Sequence, residues 1–156
     1  MGGLDRMITA SKEKGIATGD PEADRFLREN PNAILIGILL DQQMRAEVAF
    51  SGPYKLYQRL GHLDMKKIAE MDAEKFKAIF SEKPAVHRFA NMMAERVQRL
   101  ASAVAEKYDG DASRMWSDTA DRKEVEKRAK ELPGFGADKV KMMGPVLELF
   151  GYKTLT

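Results

Sequence analysis

The eight residues from Ala33 to Leu40 carry no polar side chain, and they stand between Asn30-Pro31-Asn32 and Asp41-Gln42-Gln43. A run this short falls well below the roughly 20 residues of a membrane helix, so its apolar surface must be covered by protein. Asn30-Pro31 is a helix-start signal, because proline in a first turn gives up an N–H that would have had no partner. Reading on through Val48 and Phe50, the segment from Asn32 to about Phe50 is predicted as one helix buried on most sides. Such a helix needs a shell of partners, and the rest of the chain supplies them in helical form. No stretch alternates apolar and polar positions with β-branched or aromatic enrichment, whereas 3.6-residue periodicity recurs throughout. The expectation is an all-α fold, a compact bundle of about nine short helices around a buried central helix. At 156 residues and 44% apolar composition it is one globular unit with a single core.

Residues 1–16, with Gly2, Gly3 and Gly15 and little periodicity, read as an N-terminal extension, and residues 17–156 as the domain. Within it, Asp20-Pro21 opens a helix to about Glu29, and Gly52-Pro53 punctuates the chain after the central helix. A short helix then ends at Gly61, and Asp64 and Asp72 cap two more. Phe89, Met93, Val97, Leu100, Val104 and Tyr108 form one stripe along a long helix that stops at Asp109-Gly110. Asp111 to Trp116 is another short turn of helix, and a further helix runs from Thr119 or Asp121 to Leu132. Trp116 reads as an anchor, and the ten methionines as core filler.

Composition removes several classes of chemistry. With no cysteine there is no disulfide, thiolate zinc site, cysteine nucleophile or cysteine-ligated iron–sulfur cluster, and two histidines are too few for a His-rich metal centre. Both histidines are expected to be structural. A net charge of +2 gives no field that demands a polyanion, so any basic patch is local. The most basic stretch, residues 83–107, has Lys83, Arg88, Arg96, Arg99 and Lys107 against Glu95 and Glu106, and reads as a solvated helix face or a contact for a nucleic-acid backbone. Nothing at the N-terminus has the charged, apolar and cleavable parts of a secretory signal, and the expectation is a cytoplasmic protein without a membrane partner.

Leu132-Pro133-Gly134-Phe135-Gly136 lies between two predicted helices in a unit spanning about 121–150. Two glycines around an apolar residue allow positive φ and leave room for a close approach, while Phe135 tucks inward. Backbone N–H groups at such a turn, with the next helix dipole behind them, suit one phosphate oxygen. By spacing alone the turn reads equally as a plain helix–helix connection with a glycine C-cap.

Together with Lys139, this segment resembles the hairpin of the helix-hairpin-helix (HhH-GPD) superfamily of base-excision DNA glycosylases, the endonuclease-III-like proteins. About 90 residues upstream, Leu39-Leu40-Asp41-Gln42-Gln43 is similar to the family segment whose glutamine, here Gln43, wedges into the duplex when a base is flipped. Ala49-Phe50-Ser51-Gly52-Pro53-Tyr54, Glu82 to Phe89 and Tyr108-Asp109-Gly110-Asp111 bring the likeness closest to an uncharacterised bacterial branch, the HhH-GPD-type base excision repair proteins. The resemblance implies double-stranded, lesion-containing DNA as partner and base excision as activity. It assigns DNA contacts to Gln42, Gln43, Pro133, Gly134, Phe135, Gly136 and Lys139, and allows a monovalent cation at the hairpin carbonyls as the sole cofactor.

The chain also departs from the family. Members with lyase activity carry a nucleophilic lysine two residues after the second hairpin glycine, where this chain has Asp138. Lys139 is one step, about 100°, further round and is expected to turn away from the pocket. The family aspartate of the following helix would fall in Tyr152-Lys153-Thr154-Leu155-Thr156, which has no carboxylate, so the fold reads as shortened at the C-terminus. The resemblance therefore implies a monofunctional DNA glycosylase, with Asp138 as the nearest substitute carboxylate and Asp41, then Glu47, behind it. A non-catalytic helix-hairpin-helix DNA-binding module is the alternative.

Overall fold

A computed structural model describes residues 3–156. Residues 1 and 2 of the extension expected over 1–16 lie outside the described residues. Among those described there are nine α-helices and no strand: α1 (Gly3–Lys14), α2 (Pro21–Glu29), α3 (Pro31–Leu40), α4 (Ala46–Leu60), α5 (Met65–Glu70), α6 (Ala73–Ser81), α7 (Ala90–Tyr108), α8 (Arg122–Lys130) and α9 (Ala137–Leu149). A single 3₁₀ turn, Ala112–Met115, lies between α7 and α8. The all-α architecture matches the periodicity, and none of these helices is long and apolar enough to cross a membrane.

The apolar run is the axis of the fold. Every residue of α3 from Ala33 to Leu40 is buried, under α2, α4, α7, α9 and the 3₁₀ turn. Two glycines let α4 come close: a Cβ at Gly37 would stand 2.6 Å from the Phe50 ring, and one at Gly52 would stand 2.7 Å from Leu40 Cδ1. The structure corrects two expectations here. The helix predicted over 32–50 ends at Leu40, and residues 41–45 form an irregular loop before α4. Gly52-Pro53 does not interrupt the chain but lies inside α4, where the glycine serves packing against α3.

The helix starts follow from short acidic caps. Asp20, Asp64, Asp72, Asp111 and Asp121 each accept a hydrogen bond from a backbone N–H in the first turn they open. Asn30 opens α3 without a side-chain cap; its amide donates back to Phe26 O at 3.0 Å. Asn32 ties the start of the central helix to two distant turns, donating to Leu63 O (2.9 Å) and Gly110 O (3.1 Å) and accepting from Ala112 N–H (2.9 Å). The N-terminal helix α1 docks on α4 and α9 through the buried Met7. Near the C-terminus, Trp116 meets Tyr152 edge-on at 5.8 Å and Lys153 Nζ donates to the carbonyls of Trp116 and Thr119.

Candidate nucleic-acid interface

The hairpin is set by one left-handed glycine and one buried ring. Phe135 is 5% exposed, anchored in the core, and its N–H donates to Leu132 O at 3.2 Å to close the turn. Gly134 has φ +82° and sits so close to the central helix that a Cβ would fall 2.8 Å from Leu39 Cδ1. Gly136 departs from expectation: its φ of −82° is open to any residue, and a Cβ there would meet nothing within 4 Å. The first glycine is thus required by backbone and packing, whereas the second leaves open space at the N-cap of α9. A cleft of about 490 Å³ lies over the turn, with Arg96 and Arg99 of α7 on one wall and Leu132 through Gly136 on the other. Two guanidiniums facing exposed backbone, with no carboxylate in the lining, suit an anion, Arg99 being shared with Glu95 at 2.5 Å and Arg96 with the neutral Gln42 amide.

The loop after α3 rises beside this turn. Gln43 has φ +54°, a left-handed conformation uncommon for a residue with a side chain, and is exposed. Gln42 is half-buried, and its Oε1 accepts from Arg96 Nη1 at 3.2 Å. His87, buried to 1% exposure, reaches the same loop: its Nε2 lies 2.9 Å from Leu40 O and 3.2 Å from Gln42 O. Burial holds the His87 imidazole below its usual pKa, against the two carbonyls that favour its charged form. Arg96 and His87 were not legible as partners of this loop, since each is more than 40 residues away in the chain. The reading of both histidines as structural agrees with their bonds, His62 Nδ1 accepting from Asp64 N–H at 3.0 Å.

A second cleft, about 400 Å³, opens between this loop and the start of α9. Asp41 and Gln42 form one side, and Gly136 through Lys139 with Met142 form the other. Lys139 departs from the helix-rotation argument: its Nζ donates to Asp41 O at 3.0 Å, and it lines the cleft together with Asp138. Burial lowers the Lys139 pKa, countered by Asp41, and burial raises that of Asp41, countered by Lys139 and Arg6. Asp138 is exposed in the first turn of α9, where its charge also complements the helix dipole. Glu47 is drawn away from this cleft: Arg6 holds it through two hydrogen bonds at 3.1 and 3.2 Å and Arg45 through a third, taking its pKa down to about 2.

The structure therefore gathers Asp41, Gln42, Gln43, the hairpin glycines, Asp138 and Lys139 on one edge of the bundle, with Gly136 shared by both clefts. A larger groove of about 720 Å³ between α1, α8, α9 and the tail contains none of these residues. Residues 36–146 match the model of the HhH-GPD superfamily base excision DNA repair proteins. None of the curated proteins matches the chain. Among solved structures, a thermostable thymine-DNA glycosylase is similar with a TM-score of 0.59 at 18% identity, over 96% of this chain and 58% of that one. A trapped endonuclease III–DNA covalent intermediate, an estranged-adenine complex, is similar with a TM-score of 0.55 at 19% identity, over 95% and 57%. This chain spans little more than half the length of either, and at such identities the likeness establishes the shared fold.

Proposed function

The chain belongs to the HhH-GPD superfamily of base excision DNA repair proteins, and on that premise we propose that it binds lesion-containing duplex DNA and acts as a monofunctional DNA glycosylase. The observation that carries this reading is the single edge on which an anion-suited hairpin, an outward-pointing glutamine and a carboxylate-lined cleft adjoin. A backbone phosphate would sit between the N–H groups of the turn and Arg96 and Arg99. Gln43, already projected into solvent by its left-handed backbone, would fill the gap left by the extruded nucleotide. The nucleotide would enter the cleft lined by Asp41, Asp138 and Lys139. There a carboxylate would stabilise positive charge developing on the sugar as the bond to the base breaks, and water would add at the sugar carbon while the base leaves with a proton.

Of the two carboxylates, Asp41 is the half-buried one, where charge interactions are stronger, and Asp138 is exposed. With Asp138 at the position of the lyase lysine, the reaction stops at base release. A non-catalytic DNA-binding module draws on the same substitution and expects binding without release of any base.

A panel of duplexes carrying single lesions, assayed for base release and for salt-dependent binding, tests both readings. With three to four phosphate contacts, the log–log salt slope should be about −3 to −4. On whichever lesion is excised, Asp41→Asn should lower single-turnover release roughly a hundredfold or more, while Asp138→Asn keeps turnover and binds slightly tighter. The reverse ranking would move the catalytic role to Asp138, and no release from any lesion would leave the binding module.

A further inference from the structure

The loop bearing Gln43 is braced by a residue that touches neither cleft. His87 Nδ1 accepts the Phe89 N–H at 2.9 Å, which places the ring proton on Nε2. That N–H faces two carbonyls at once, Leu40 O at 2.9 Å and Gln42 O at 3.2 Å. Leu40 is the last residue of α3; its carbonyl, which has no partner within the helix, accepts the Gln42 N–H at 2.8 Å as well as facing His87, and Gln42 directly precedes the left-handed Gln43. The carbonyl between them, of Asp41, is taken by Lys139, and the Gln42 side chain by Arg96. A left-handed backbone at a residue with a side chain persists where its surroundings over-determine it, and here these three side-chain donors add to the turn's own backbone bonds from Asp41 N–H to Ile38 O and from Gln42 N–H to Leu40 O. Lys139 and Arg96 line the clefts, so they would meet DNA directly; His87 is buried and lines neither.

We propose that His87 is a positioning residue for Gln43: the Nε2–H shared between the Leu40 and Gln42 carbonyls holds the kink that projects the glutamine side chain out of the protein. The inference rests on the wedge role proposed for Gln43, and it adds that the wedge depends on one buried imidazole in a defined tautomer. A packing role for the ring would ask only for its bulk. A positioning role asks for an N–H at the reach of Nε2.

The test compares affinity for a duplex containing a tetrahydrofuran abasic analogue, whose gap the wedge would fill, with affinity for the intact duplex of the same sequence. The wild-type preference for the abasic duplex should collapse in Gln43→Ala. It should fall about tenfold in His87→Leu, the scale of one to two lost hydrogen bonds, with intact-duplex affinity within about twofold. His87→Gln, whose amide N–H reaches about as far as Nε2, should restore most of the preference. His87→Asn, which keeps an acceptor for Phe89 but cannot reach the loop, should behave like leucine and serves if the leucine variant does not fold. The Gln43→Ala/His87→Asn double variant should be no worse than Gln43→Ala alone. An undiminished preference in His87→Asn, an equal loss for both duplexes, or failure of His87→Gln to differ from His87→Asn would overturn the proposal. A wild-type protein without any abasic preference would instead overturn the wedge role and with it the service of His87. The two failures are distinct, because only the second is visible before any histidine is changed.

Discussion

Gly134 and Gly136 are two residues apart and chemically identical, yet alanine should do opposite things at them. At Gly134 the added methyl meets a backbone at φ +82°, which costs a non-glycine residue about 1–2 kcal/mol. It also meets Leu39 Cδ1 at 2.8 Å, inside the core, an overpacking that typically costs about 1–3 kcal/mol. Reduced freedom of the unfolded chain returns about 0.4–1 kcal/mol, leaving a net destabilisation of about 2–4 kcal/mol. For a chain of this size that lowers the melting temperature by roughly 6–12 °C. At Gly136, with φ −82° and nothing within 4 Å, only the weaker N-cap preference of alanine counts against it, about 0.5–1 kcal/mol, and the unfolded-state effect offsets most of that. Its methyl occupies the mouth shared by the two clefts, so Gly136→Ala should melt close to wild type but bind duplex DNA more weakly, with a salt slope shallower by about one. Thermal melts followed by circular dichroism and anisotropy titrations at several salt concentrations measure both. A Gly134→Ala protein that melts with the wild type would refute the packing of the hairpin on α3. A Gly136→Ala protein that melts as low as Gly134→Ala would refute the distinction between the two glycines.

Borohydride trapping on abasic DNA should give no strong covalent band, since Asp138 stands where the lyase lysine would be; a strong band abolished in Lys139→Ala would show that the cleft-lining Lys139 serves as a nucleophile. Glu47, held down to about pKa 2 by Arg6 first of all, contributes stability that is present above its ordinary pKa of 4.5 and is lost as pH falls from there towards 2. Arg6→Ala should therefore flatten the acid limb of the stability curve in that window, as read by urea midpoints, and an unchanged limb would show that the ion pair does not hold in solution. His87 runs the same way for a different reason: its folded pKa lies below 6.5 because of burial, so below about pH 6.5 the unfolded chain takes up a proton that the folded one refuses. Stability should decline as pH drops through that range and level off beneath the folded pKa, and His87→Gln should remove that part of the slope.

Local chemistry was legible in the sequence, and long-range chemistry was not. Five aspartates announced the helices they cap because an N-cap is decided within three residues, and Ala33–Leu40 declared its burial because no surface tolerates so unbroken an apolar run. The break after Leu40 escaped because nothing within Asp41–Arg45 forbids a helix; the carbonyls there are turned aside by Lys139 and His87, which arrive from distant segments. Gly52-Pro53 misled for a related reason, the glycine being required by Leu40 on another helix. Lys139 was misplaced because a rotation angle describes where a Cβ points, and a four-carbon stem carries the ammonium well away from there, here to Asp41 O.

Arg96 stands between the glutamine loop and the hairpin. One of its nitrogens engages Gln42 while the guanidinium also walls the cleft over the hairpin. Its planar fork has donors to spare, so it can hold the glutamine and an incoming anion together, but only in one orientation common to both. Whatever free energy an anion gains or loses by finding Arg96 already oriented by Gln42, the glutamine loop gains or loses equally when the anion is present, by the reciprocity of linked equilibria. Grip on the strand and the setting of the loop are then two readings of one coupling constant, and a double-mutant cycle across Gln42 and Gly136 would measure it.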